Sequence, residues 1–156
     1  MIAAVGRLRE KAFRQLADEY LKRLGRFGRY EEAEVPDLAE PENGSAALEE
    51  QVRAREGAAL LQRVTPRDHV IALTIGGRRM SSPALAEHLG ALRARGAGRV
   101  VFVIGGSLGL GENVLARADE ELSMSDLTFP HQLARVMLLE QLYRCEKILA
   151  GERYHK

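Results

Sequence analysis

The sequence predicts an α/β fold: a mainly parallel sheet with helices on both faces, forming one domain over residues 1–156. Three observations carry that expectation. Two short runs, His69-Val70-Ile71-Ala72-Leu73-Thr74-Ile75 and Val100-Val101-Phe102-Val103-Ile104, have the length and β-branched content of strands buried on both sides. Helical patterns alternate with these and with weaker strands, as in sheets joined by crossovers. Each buried run meets glycines at its end, and ligands bind at the carboxyl ends of such strands.

Taken in order, Met1–Val5 reads as a short strand ending at Gly6. Phe13, Leu16, Ala17, Tyr20, Leu21 and Leu24 recur at three- and four-residue spacing, which predicts an amphipathic helix over 10–24, stopped at Gly25. Tyr30–Val35 is a charged strand, suited to an edge. Pro36–Gly44 is a loop, after which Ser45 caps a helix to about Arg63 with Leu48, Val52, Ala59 and Leu60 inward. The strand at 69–75 is halted by Gly76-Gly77. Ser82-Pro83 starts the next helix and Gly96 closes it after Leu85, Leu89 and Leu92. Beyond 100–104 come a short helix near Glu112–Ala118, a brief strand at Leu122–Met124 and a long helix from Pro130 to Leu149, ended by Gly151.

Composition narrows the function classes. Hydrophobic residues make up 46% and charged residues 29%, the balance of a soluble globular chain. Met1 leads through four apolar residues straight into charge, unlike a secretory leader, and no apolar run reaches the length of a membrane span. One cysteine, Cys145, precludes an internal disulfide and fits a reducing, cytoplasmic setting; it reads as a packed or surface thiol. The net charge of +1 hides an asymmetry: residues 1–29 carry eight Lys/Arg, whereas 31–50 carry eight acids and no base. A polyanion is drawn to the first segment and repelled by the second.

The chemistry-bearing stretch is Arg99–His131. Gly105-Gly106-Ser107-Leu108-Gly109-Leu110-Gly111 has four glycines in seven residues, so another molecule can approach its backbone. Met124–His131 is a second irregular loop, entering the last helix through Pro130. With Leu73–Gly77 these loops predict one small-molecule pocket. No P-loop is present, and G-x-x-G-x-G at 106–111 is the wrong order for a dinucleotide fingerprint. No G-x-S-x-G supports a nucleophile elbow. His69, His88, His131 and His155 are scattered, without a metal-ligand spacing, so no metal is expected. The ligand itself stays unnamed by these patterns.

Four stretches together closely resemble the ribosomal large-subunit methyltransferase H family: Val101–Leu110, Leu127-Thr128-Phe129-Pro130-His131-Gln132-Leu133, Glu140-Gln141-Leu142-Tyr143-Arg144 and the terminal Tyr154-His155-Lys156. The resemblance covers the whole chain. It implies a SPOUT-class enzyme with a C-terminal trefoil knot, methylating N3 of a pseudouridine in 23S rRNA of the assembled ribosome with S-adenosylmethionine. It implies cofactor contacts at Leu73, Gly105, Met124, Ser125, Asp126, Leu127, Thr128 and Phe129, and a homodimer whose active site spans the subunit interface. The last helix, with Leu133, Val136, Met137 and Leu142, would then be covered by a partner. The chain departs from the pattern at Thr74, where members often carry an acid, and at Arg78, where they often carry lysine.

Within that frame the expected catalytic residues are His155 as proton acceptor, Tyr154 to orient or stack on the base, and Arg144 beside the ring oxygens. Arg135, nine residues before Arg144, is a further expected phosphate or ring contact, and His131 a donor at the pocket or a structural helix-start residue. Arg7, Arg9 and Lys11 are the expected phosphate contacts. The alternatives are a non-catalytic ribosome-binding dimer module and a SPOUT methyltransferase acting on tRNA.

Overall fold

The computed structural model describes residues 1–41 and 44–154. Its elements are β1 (Ile2–Val5), α1 (Lys11–Leu24), β2 (Glu32–Val35), α2 (Ala46–Leu61), β3 (His69–Arg79), α3 (Ser82–Ala94), β4 (Val100–Ile104), α4 (Glu112–Arg117), β5 (Glu120–Ser123) and α5 (His131–Leu149). All strand pairs are parallel, in the order β2-β1-β4-β3-β5. Every carboxyl end therefore lies on one rim.

The continuous apolar character of β4 follows from its place in the middle of the sheet. Phe102 and Ile104 point into one core with Ile2, Ile71 and the buried faces of α1, α3 and α5. Val101 and Val103 point into the other, with Val70, Leu60 of α2 and Val114 of α4. Each such side chain contributes roughly 1.5–3 kcal/mol by leaving water. The charged strand β2 is an edge, as its sequence predicts.

Four details differ from the sequence reading. Gly76-Gly77 do not halt β3: the strand slips register between Leu73 and Arg78 and pairs again, Arg78 with Leu122 and Arg79 with Ser123. Gly77 permits the slip, since a Cβ there would lie 2.7 Å from the Leu122 backbone. The cap of α3 is Ser81, whose side chain accepts from the Ala84 N–H, so Ser82 and Pro83 already lie in the first turn. Leu48 of α2 is 42% exposed and Leu16 of α1 is 47% exposed, although both fit a helical apolar spacing. The inward face of α2 instead carries Glu56, whose carboxylate accepts from the Leu38 N–H at 2.9 Å and pins the chain beyond β2.

Candidate functional site

The end of β4 turns sharply at Gly105, where an added Cβ would lie 2.6 Å from the backbone of Gly109. Gly109 has φ +83°, the left-handed region that only glycine enters cheaply, and its N–H donates to the Gly106 carbonyl at 3.1 Å. The resulting turn offers bare backbone to whatever lies above it. Behind it, Asn113 at the start of α4 fills the space that a side chain at Gly57 would take, and donates to the Ala54 carbonyl at 2.9 Å. Helix α2 thereby supports the loop from below.

The second wall is the segment between β5 and α5. Ser123 Oγ donates to the Ser125 carbonyl and Ser125 Oγ accepts from the Leu127 N–H, both at 3.0 Å. These local bonds satisfy backbone groups that would otherwise compete for a ligand. Between the walls lies a cavity of about 590 Å³ at the carboxyl ends of β3, β4 and β5. Leu73, Gly105, Met124, Ser125, Leu127, Thr128 and Phe129 all line it, with His131 and Ala134 from the first turn of α5. Asp126 does not: it turns outward and pairs with Arg79 on the β3 extension. That volume and largely apolar, backbone-rich lining suit a nucleoside-sized cofactor.

Thr74 also faces the cavity. Its hydroxyl donates to Glu121 Oε2 at 2.8 Å, so β5 brings a carboxylate to the place where the sequence shows a threonine. The two residues are 47 apart in the chain, and no local pattern signals the pairing.

At the other end of α5 stands a cluster of polar side chains. Arg144 Nη2 donates to Glu140 Oε1 at 2.5 Å, and the Tyr154 hydroxyl donates to the same oxygen at 3.2 Å. The Arg144 guanidinium lies 4.8 Å from the Tyr154 ring centroid, and Tyr143 meets that ring edge-on at 5.0 Å. Burial, then the Glu140 carboxylate, push the Tyr154 phenol up to about 12. Tyr154 is thus a hydrogen-bond donor at neutral pH. His155 lies outside the described residues.

The two groups do not meet within one chain. His131 lines the cavity and Arg144 lies thirteen residues along the same helix, about 20 Å away at 1.5 Å per residue. Arg135 is a correction: it is 2% exposed and spends its guanidinium on Glu32, Glu34 and the Gly6 carbonyl, so it is a structural ion and not a phosphate contact. Burial raises Glu32, but hydrogen bonds from Arg135 and Arg14 outweigh it and hold the carboxyl below its usual range. Of the expected partner-covered residues, Val136 and Leu142 are buried in the chain's own core, whereas Leu133 and Met137 remain half-exposed.

Two further side chains differ from the sequence expectation. His69 and His88 are not scattered: their Nε2 atoms bond Glu120 at 2.6 and 2.7 Å, at the rim opposite the cavity. Among the described residues no cluster of three or more His, Cys, Asp or Glu is placed to hold a metal ion. Cys145 is fully buried, and burial pushes its thiol up to about 12, which makes it a packing residue. No helix among the described residues is long and apolar enough to cross a membrane.

Comparison with known proteins agrees with this geometry. The family model described as "Predicted SPOUT methyltransferase" matches residues 1–155. The chain is 46% identical over 155 residues to ribosomal RNA large subunit methyltransferase H of Alkaliphilus oremlandii (strain OhILAs), covering 99% of this chain and 98% of that protein.

Proposed function

The chain belongs to the SPOUT methyltransferase family, with the knotted α/β fold that membership implies, and on that premise we propose that it methylates large-subunit ribosomal RNA. The acceptor in this reading is N3 of a pseudouridine in 23S rRNA of the assembled ribosome, and the methyl donor is S-adenosylmethionine. When bound, that cofactor supplies a methyl group already activated on a sulfonium. The chain's own task is then chiefly alignment, which can supply roughly 7–11 kcal/mol of a barrier.

The cavity residues fit the cofactor. Gly105 to Gly109 present backbone to a purine, and Leu73, Met124 and Phe129 supply apolar contact on either side. The single observation that carries the reading further is the separation along α5. A cavity at one end of a helix and a Tyr-Arg-Glu cluster at the other make one active site only when two chains pair. The half-exposed Leu133 and Met137, with Ile75 and Leu127 each 71% exposed beside the cavity, support a homodimer that covers this face.

In that dimer the tail of one subunit serves the cavity of the other. Arg144 places positive charge beside a ring oxygen as negative charge develops there, Tyr154 donates a hydrogen bond, and His155 accepts the N3 proton. His155→Ala should abolish methylation while cofactor affinity stays within about two-fold, because accepting the N3 proton belongs to the transfer step and not to cofactor binding. Mapping methylated pseudouridine in ribosomes from cells lacking and regaining the protein tests the whole reading. Unmodified rRNA in the complemented cells sinks it.

A further inference from the structure

Because every strand is parallel, the segments leaving their carboxyl ends gather around the cavity, and two of them carry exposed cations. One is Arg7–Lys11, which follows β1. Its Arg9 N–H donates to Gln132 Oε1 at 3.0 Å, and Gly6 lies beside α5, where an added Cβ would be in ordinary contact with His131 Nε2 at 3.6 Å. The other is the bulged extension of β3. There the register slip sets Arg78 opposite Leu122 and Arg79 opposite Ser123, both of which line the cavity. Arg9 and Arg79 are offset by Asp37 and Asp126. Arg7, Lys11 and Arg78 are exposed and have no acidic partner among the described residues.

We propose that these two segments are the RNA-docking surface of the enzyme, with Arg7, Lys11 and Arg78 each neutralising a backbone phosphate on either side of the cavity mouth. The proposal rests on the reading of the substrate as ribosomal RNA. Three unpaired cations on segments that flank the cavity walls attract a polyanion and release its counterions on contact. The placement also gives the β3 bulge a purpose. Without the slip at Gly76-Gly77 the strand would leave the sheet at Leu73, and Arg78 would not be held beside β5. Phosphate contacts position a nucleic acid without reading its sequence, which leaves choice of nucleotide to the cavity and the partner's tail.

The test uses the protein and assembled ribosomes from cells lacking it, titrated at several KCl concentrations. The triple variant Arg7→Ala/Lys11→Ala/Arg78→Ala should flatten the slope of log K against log salt by roughly 2 to 3. A control pair at the opposite rim, Arg67→Ala/Arg95→Ala, removes charge without flattening it. Cofactor affinity measured by calorimetry should match wild type in both, which certifies the fold. Equal slopes for wild type and the triple variant overturn the proposal, as does equal flattening by the control pair. A wild type that binds with a salt-dependent slope yet does not methylate the assembled ribosomes overturns the reading of function and leaves the surface standing.

Discussion

The two ends of α5 solve different problems with different materials. At its amino end the cavity is built from backbone: a glycine turn, a serine-braced loop and a few apolar side chains. At its carboxyl end the cluster of Glu140, Arg144 and Tyr154 is built from side chains that orient one another. A backbone site tolerates truncation of its neighbours and fails on addition of a single carbon. A side-chain site behaves in the opposite way. Binding should therefore be vulnerable at one end and chemistry at the other.

The largest expected effect is at Gly105. Gly105→Val drives a branched side chain into the Gly109 backbone, 2.6 Å from the first added carbon, and should weaken S-adenosylmethionine by at least about a hundred-fold in calorimetry. By contrast Ser107→Ala, on the exposed tip of the same turn, should change affinity less than about three-fold. Similar losses for both would mean that side chains, not backbone, hold the cofactor. At the other end, Arg144→Ala and Tyr154→Phe should each lower turnover by roughly a hundred-fold with cofactor affinity unchanged. A loss of affinity without a loss of turnover would reverse the assignment of the two ends.

Subunit mixing joins the two classes of variant. In the proposed homodimer, Gly105→Val and Arg144→Ala should each be impaired alone, but random pairing should create heterodimers in which one intact cavity faces one intact tail. An equal mixture should recover about a quarter of wild-type turnover, the fraction expected for a two-fold dimer. Recovery of nothing would place cavity and tail of the active site in one chain, against the distance of about 20 Å between them.

Legibility in the sequence follows the same division. The strands at 70–73 and 100–104 are plain in the sequence, because burial on both faces leaves a continuous apolar run rich in β-branched residues. The cavity walls were legible because glycine runs and irregular loops are local signals. What escaped was long-range: Thr74 finding Glu121, His69 and His88 sharing Glu120, and Arg135 sinking among Glu32 and Glu34. None of these pairs leaves a spacing in the sequence, since the register that joins them is set by the sheet. The β3 slip misled for a related reason. A Gly-Gly pair reads as a turn, and only the proximity of Leu122 makes Gly77 a crossing point within the strand instead.

Arg135 supplies the smallest effect and a check on that last group. Glu32 is held below its unfolded value by Arg135 and Arg14 against the cost of burial, so it contributes stability that is fully present above about pH 4.3 and lost as pH falls through its folded value. Urea unfolding midpoints of the wild type should drop as pH falls below about 5. Glu32→Gln removes this group's share of the drop, so its curve should be shallower below pH 5 than that of the wild type, starting from a lower plateau because Arg135 loses a charged partner in the interior. Methylation at pH 7.5 should be unaffected in enzyme that remains folded. A hundred-fold loss of turnover in a Glu32→Gln variant with an unchanged unfolding curve would instead put Arg135 in the reaction, and the boundary between scaffold and site would then run one turn further along α5.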